Sequence, residues 1–221
     1  MTTFHIITTF EEAIKVYFNT SILARAQKNG LIKIKFYNPR DFSVGKYKKV
    51  DDRPFGGGPG MVAMLEPIIK AIKKIKIPKA KIILLTPAGK QFEQKMAIDF
   101  AKKYKDIIII SGRYEGIDER INKIFKTEKI SIGPFVLTGG ELGAGIVIDA
   151  VSRHIPGVLA KEESIEEKRL GIGVPVYTRP EIFKYKGKNY KVPKILLSGN
   201  HAKIKEYRSA SRRKIWRKNI C

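Results

Sequence analysis

Four stretches of this chain concentrate glycine, charge and aromatic residues in a way that ordinary helices and strands do not. The first, Asp51-Asp52-Arg53-Pro54-Phe55-Gly56-Gly57-Gly58-Pro59-Gly60-Met61, sets two carboxylates, a guanidinium and an aromatic ring ahead of a backbone free to adopt nearly any φ/ψ. Such a loop can close over a planar or phosphate-bearing ligand. The competing reading, a flexible surface loop, leaves the clustered Asp-Asp-Arg without a reason. Thr86-Pro87-Ala88-Gly89 and the run from Ser111 to Arg120 each follow a stretch of Ile and Leu that reads as a buried strand. Ligands of open parallel sheets bind outside the carboxyl ends of strands, so both loops stand where a ligand is expected. The fourth stretch, Ser131 to Glu141, feeds a helix, and its glycines let backbone approach a ligand closely.

The elements that must hold these loops read as strands alternating with helices over residues 1–160. Phe4 to Thr8 is a short apolar strand, and Thr9 with Glu12 reads as a capping box opening a helix through Tyr17. A helix over Ile22 to Lys28 stops at Asn29-Gly30, and Leu31 to Tyr37 alternates as a half-exposed strand. Lys81 to Leu85 and Ile107 to Ile110 have the continuous apolar character of strands buried on both faces. Phe92, Met96, Phe100 and Tyr104 form an i+4 stripe on one helix, and a further helix spans about Gly140 to His154. This rhythm predicts an α/β domain with a mostly parallel sheet. From Lys161 to Arg169 glutamate and lysine alternate with few apolar anchors, so residues 161–176 read as a flexible linker. Residues 177–221 read as a small, basic, mainly helical domain, with Asn200 capping a helix from His201 towards Trp216.

With 43% hydrophobic and 10% aromatic residues, the 221-residue chain can bury a core, which argues against disorder. Its net charge is +23, and 17 basic residues against 6 acidic ones follow Ala160, so nearly half of that excess lies in the last 61 residues. Such an excess attracts polyanions, although lysines that only solvate the surface would give the same count. Cys221 alone offers no disulfide framework and no cysteine metal site. No apolar run nears the ~20 residues needed to cross a bilayer, and the N-terminal apolar stretch is too short for a signal peptide, so a cytoplasmic protein with no membrane partner is the expectation. The chain has no G-x-G-x-x-G after its first strand, no G-x-x-x-x-G-K-[ST], no H-E-x-x-H and no G-x-S-x-G, which disfavours dinucleotide, nucleoside triphosphate, zinc and serine-hydrolase chemistry. The residues alone reach a ligand-binding α/β domain with a basic tail.

Taken together, the segments resemble the bacterial tRNA (guanine-N1)-methyltransferase family of knotted methyltransferases. The resemblance runs in order through Asn38-Pro39-Arg40-Asp41-Phe42, Asp51 to Met61, Gly112 to Arg120, Ser131 to Glu141, Asp149 to Leu159, Tyr177-Thr178-Arg179-Pro180-Glu181 and Leu196 to Ala202. It implies a SPOUT-type trefoil knot, made by the loops after Leu85, Ile110 and Ile130, around S-adenosyl-L-methionine. The cofactor pocket it implies comprises Thr86, Pro87, Gly112, Tyr114, Glu115, Ser131, Ile132, Gly133, Pro134, Phe135, Val136, Leu137, Gly139 and Gly140. Phe135 stands where tyrosine is usual and Gly143 where proline is common, both expected to be mild changes. The resemblance further implies a homodimer with active sites at the subunit interface, acting on guanosine 37 of tRNA. Asp51, Asp52, Arg53, Gly57, Gly58, Pro59, Arg179 and Arg208 would contact that tRNA, and the tail, expected to be shorter than the family's, would grip it.

Methylating guanine N1 needs alignment of donor and nitrogen, a proton acceptor for N1, and a donor to the charge developing on O6. Arg153 matches the family arginine given the last role. The plainer reading is a structural ion pair with Asp149 one turn away. The family's general-base aspartate falls at Gly173, which cannot accept a proton. A linker carboxylate (Glu162, Glu163, Glu166 or Glu167) could replace it, magnesium or solvent could assist, or the chain could bind cofactor and tRNA with weak catalysis. A methyltransferase acting on another RNA or another base position is the third reading. His201 reads as a helix-start residue, and no dedicated metal site is expected.

Overall fold

The run Ile107-Ile108-Ile109-Ile110 lies at the centre of the molecule, and all four residues are buried. Successive side chains of a strand point to opposite faces, so a continuous apolar run demands cover on both. Ile107 and Ile109 pack into one apolar cluster and Ile108 and Ile110 into another, on the other side of the sheet. The computed structural model describes residues 1–113, 115–159 and 174–218, the stretch 211–218 as backbone alone. Tyr114, Gly173, Glu162, Glu163, Glu166, Glu167 and most of the expected linker lie outside the described residues.

The chain divides into two compact units, Met1–Leu159 and Ala160–Cys221. In the first, β1 (Thr2–Ile7), α1 (Glu12–Phe18), α2 (Ser21–Lys28) and β2 (Ile32–Tyr37) are followed by a two-residue pair of strands, β3 (Asp51–Asp52) and β4 (Val62–Ala63). Then come α3 (Leu65–Ile75), β5 (Lys81–Gln91), α4 (Gln94–Lys103), β6 (Asp106–Ile110), α5 (Arg120–Phe125), β7 (Glu128–Ser131) and α6 (Glu141–Ser152). Five strands form one sheet in the order β2-β1-β6-β5-β7, and every pairing in it is parallel. Residues of α1, α2, α4 and α6 share the cluster with Ile107 and Ile109, while those of α3 and α5 share the other. The mixed α/β architecture with a mostly parallel sheet is the one expected.

Two local expectations need correction. Thr9 does not cap α1, whose first turn starts at Glu11 without a side-chain cap. The neighbouring Thr8 hydroxyl accepts from Phe10 N–H at 3.1 Å and donates to Glu141 at 2.8 Å, so the threonine with a structural task is one residue earlier. The strand expected to end at Leu85 resumes after a bulge. Leu85 and Lys90 both pair with Ile130, and Thr86–Gly89 bows out between them. A Cβ on Gly89 would sit 2.5 Å from the Ile130 backbone, so only glycine allows the strand to close again. Among its described residues the second unit is mainly helical, with helices Lys194–Leu197 and His201–Lys218, and it adds an element the sequence reading did not foresee. It has a hairpin, β8 (Ile182–Tyr185) with β9 (Lys188–Lys191), joined by Lys186-Gly187 at φ of 46° and 71°. After it, the helix His201–Lys218 is capped as expected, Asn200 Oδ1 accepting from Lys203 N–H at 3.1 Å. Among the described residues no helix is long and apolar enough to cross a membrane.

His5, on β1, is a buried titratable group away from the loops. Its ring nitrogens lie 3.1 Å from the Tyr37 hydroxyl and 3.2 Å from Asp106 Oδ1. Burial holds its imidazole below the ordinary value, against the opposing pull of the Asp106 carboxylate. The folded pKa is therefore the lower one, and the unfolded chain takes up the proton first. Stability from this site is present above pH 6.5, the ordinary value, and is lost as pH falls below it. Thermal unfolding should show the midpoint of the wild type dropping between neutral pH and pH ~5.5, while His5→Gln stays flat across that window. Equal slopes for both proteins would refute the assignment.

Candidate functional site

At the carboxyl ends of β5, β6 and β7 the loops enclose a cleft of about 350 Å³. That is the size of a small-ligand pocket and the place a parallel sheet offers one. Thr86 and Pro87 reach it from the β5 bulge, Gly112 and Glu115 from the loop after β6, and Ser131, Ile132, Phe135, Val136, Leu137, Gly139 and Gly140 from β7 and the loop beyond. Segments far apart in sequence are thus brought together. Gly133 and Pro134 do not line the cleft. Gly133 instead makes room for the Phe135 ring, whose nearest atom would lie 2.2 Å from a Cβ there, and its carbonyl accepts from Ser131 Oγ at 3.0 Å. Arg113, Glu119, Lys129, Thr138 and Gly143 also line it, unforeseen. Arg113 and Glu119 stood inside a loop already singled out, so their charge was the available signal. Lys129, on a half-buried strand, carried none. Gly143 faces Leu85 and Ile132, each 3.2 Å from where its Cβ would be.

The floor of the cleft is held by a buried carboxylate. Glu141, the first residue of α6 and only 3% exposed, accepts from the Thr8 hydroxyl at 2.8 Å and from Arg113 Nε at 3.2 Å. Burying a carboxylate is strongly unfavourable unless it is paired and hydrogen-bonded, and both conditions are met here. The Arg113 guanidinium lies 4.3 Å from the Phe10 ring centroid, so it is fixed from two sides. Gly140 N–H donates to the Gly112 carbonyl at 2.9 Å, and a Cβ on Gly140 would come within 2.8 Å of Ser111 Cα. These contacts press the start of α6 against the loop after β6, and its glycine is what permits the approach.

The Asp51–Met61 loop stands beside the cleft. Gly56, Gly57 and Gly58 have φ of 87°, 84° and 124°, conformations that other residues rarely adopt, and Phe55 at the tip is fully exposed. The base of the loop is tied to the cleft by backbone bonds, Glu115 N–H to the Met61 carbonyl and Ala63 N–H to the Gly116 carbonyl, each 2.9 Å. The Glu115 side chain lies on Gly60, where a Cβ would fall 2.4 Å from its Oε1. Glu115 therefore borders both the cleft and the loop. Glu119, the other carboxylate of the lining, is engaged by Lys129 and by Asn122, and Lys129 holds its carboxyl below the ordinary value. Asp52 pairs with Lys49 at 3.0 Å, and this neighbour holds it too below the ordinary carboxylate value. Arg53, Gly57, Gly58 and Pro59 are exposed, and Asp51 is half-buried.

Arg153 is not in the cleft lining of its own chain. It is the C-cap of α6, half-buried, at the end opposite to Glu141. Asp149, its expected ion-pair partner, accepts a hydrogen bond from the Tyr17 hydroxyl. Arg179 and Arg208 belong to the second unit. Among the described residues no group of three His, Cys, Asp or Glu is placed to hold a metal ion.

The family described as tRNA (Guanine-1)-methyltransferase TrmD matches residues 2–219. A Clostridioides difficile protein named tRNA (guanine-N(1)-)-methyltransferase is 50% identical over 212 residues, covering 93% of this chain and 90% of its own length. Proteins of the same name from Dictyoglomus turgidum (48% over 206 residues, 92% of this chain and 82% of that protein) and Buchnera aphidicola subsp. Schizaphis graminum (47% over 221 residues, 97% and 82%) are similar throughout.

Proposed function

The chain belongs to the tRNA (guanine-1)-methyltransferase family, and on that premise we propose that it transfers a methyl group from S-adenosyl-L-methionine to N1 of guanosine 37 in tRNA, in the cytoplasm. The observation that carries this is the cleft built from the β5 bulge and the loops after β6 and β7. Its residues suit the donor. Leu85, Ile117, Ile132 and Leu137 offer apolar surface to a purine, and close backbone at Gly112, Gly139 and Gly140 offers amides and carbonyls. When bound, S-adenosylmethionine supplies a methyl group activated by a positively charged sulfur.

The chain's own residues do the rest. Arg113, locked by Glu141 and Phe10, shapes one wall, and the Asp51–Pro59 loop is placed to take the guanine, with Arg179 and Arg208 on the tRNA. Of the two carboxylates in the lining, Glu119 is committed to Lys129, so Glu115, which lies between cleft and loop, takes the N1 proton. The linker glutamates 162, 163, 166 and 167 are the competing acceptors, and single substitutions separate the two proposals. The close passage of Gly112 beneath Gly140 and of Gly89 against Ile130 supports threading of these loops as a trefoil knot.

The twelve residues of α6 rise about 18 Å, so Arg153 is held a helix length away from the cleft at the other end. Its O6-stabilising role therefore belongs to a homodimer, in which Arg153 of the partner subunit completes the site. Exposed Leu142 and Ile146 on α6, Val16 on α1 and Val136 on the cleft wall give that dimer an apolar face. Incubating the protein with labelled S-adenosylmethionine and unmodified tRNA should give methyl transfer that vanishes when guanosine 37 is replaced by adenosine. Transfer that ignores position 37 would point to another target, and donor uptake without transfer to a cofactor- and RNA-binding homologue.

A further inference from the structure

All ten residues of the β8–β9 hairpin are exposed, so burial does not explain their identities. The register opposes Phe183 to Tyr190 and Tyr185 to Lys188. Alternation along each strand then gathers Phe183, Tyr185, Tyr190 and Lys188 on one face, and Ile182, Lys184, Asn189 and Lys191 on the other. Phe183, Tyr185 and Tyr190 are 57%, 54% and 55% exposed. The turn Lys186-Gly187 has both central residues at positive φ, the two-residue type that follows the natural twist of a ribbon, and Lys186 Nζ stands 5.5 Å from the Tyr185 ring centroid. A lone two-stranded ribbon is marginally stable in water, and three rings on one of its faces need an occupant.

Charge selects that occupant. Between Ile182 and Lys191 there are four lysines and no carboxylate. A second copy of the ribbon would set like charges against each other. Unpaired nucleotides complement both features, because every base has a face that stacks on an aromatic ring and every linkage carries a phosphate for a lysine. We propose that the face carrying Phe183, Tyr185 and Tyr190 is a stacking platform for unpaired bases of the tRNA, with Lys186 and Lys188 on the flanking phosphates. This rests on the tRNA reading above and deepens it, since it specifies unpaired nucleotides and not duplex.

The test uses the full chain, a variant combining Phe183→Ala, Tyr185→Ala and Tyr190→Ala, and a second variant combining Lys186→Ala and Lys188→Ala. Affinities are measured for tRNA, for an unpaired RNA oligonucleotide and for a blunt RNA duplex of equal length, each at several salt concentrations. Calorimetric uptake of the methyl donor reports that the first unit of each variant is folded, and amide hydrogen exchange over His201–Lys218 reports the same for the second. The aromatic variant should bind tRNA and the unpaired oligonucleotide on the order of 30-fold more weakly, with its salt slope kept and duplex affinity unchanged. The lysine variant should lower the salt slope by about 1 to 2. Unchanged tRNA affinity in the aromatic variant overturns the platform, as does an equal loss for duplex and unpaired RNA. Dissociation into monomers at unchanged RNA affinity overturns it too and makes the face a contact between copies. A wild type that neither binds nor methylates tRNA removes the functional reading itself, whereas methylation with an indifferent aromatic variant removes only this proposal.

Discussion

Subunits carrying Arg153→Ala, mixed with subunits carrying Glu115→Gln, should recover about a quarter of wild-type turnover although neither parent homodimer is active beyond a trace. The expectation follows from where α6 puts its two ends. Glu141 at its start is locked into the cleft floor, and Arg153 caps its far end. If the arginine serves the site of the other subunit, a mixed dimer contains one site with both groups intact and one with neither. Random pairing makes about half the dimers mixed, with one working site in two. If Arg153 instead served its own chain, every site in the mixture would lack one group and no activity would return. Alone, Arg153→Ala should lower turnover by roughly 10²–10³, the usual effect of removing one donor to a developing oxyanion, with donor affinity little changed. Equal losses in turnover and donor affinity would count against the O6 role.

Much of the scaffold was legible because its signals are local. The Ile107–Ile110 run announced a strand covered on both faces, and Asn200 announced the cap it makes. The helix Leu65–Ile75 was overlooked, although Ile68, Ala71, Ile72 and Ile75 fall on one face at helical spacing. Pro67 looks like an interruption, but it lies in the first turn, where a missing N–H breaks no helical bond. The hairpin was overlooked for a different reason. Its Ile-Phe-Lys-Tyr and Lys-Asn-Tyr-Lys strands are only four residues each and exposed on both faces, so their alternation is too short to stand out in a lysine-dense tail that reads as mainly helical. Thr8 and Thr9 show the limit of local chemistry. Either could cap a helix, yet neither caps α1, and Thr8 instead serves Glu141, 133 residues away. The cleft was legible as loops but not as a set of partners. Nothing near Glu115 in sequence reveals that it lies against Gly60, or that Lys129 occupies Glu119.

That division of labour between the two glutamates gives the second large effect. Glu115→Gln keeps the shape of the side chain and its ability to hydrogen-bond but cannot accept a proton. Single-turnover methylation should therefore slow by roughly 10²–10⁴. The contrast with the other glutamate is the sharper readout. Glu119→Gln should keep nearly the wild-type rate, since its carboxylate is already paired with Lys129. Donor and tRNA affinities should change little in Glu115→Gln, which separates proton transfer from cofactor holding. A variant that loses donor binding in proportion to its rate would return Glu115 to the cofactor pocket alone. An unaltered single-turnover rate in Glu115→Gln would move the acceptor elsewhere, and a comparable loss on substituting Glu162, Glu163, Glu166 or Glu167 would place it on the linker.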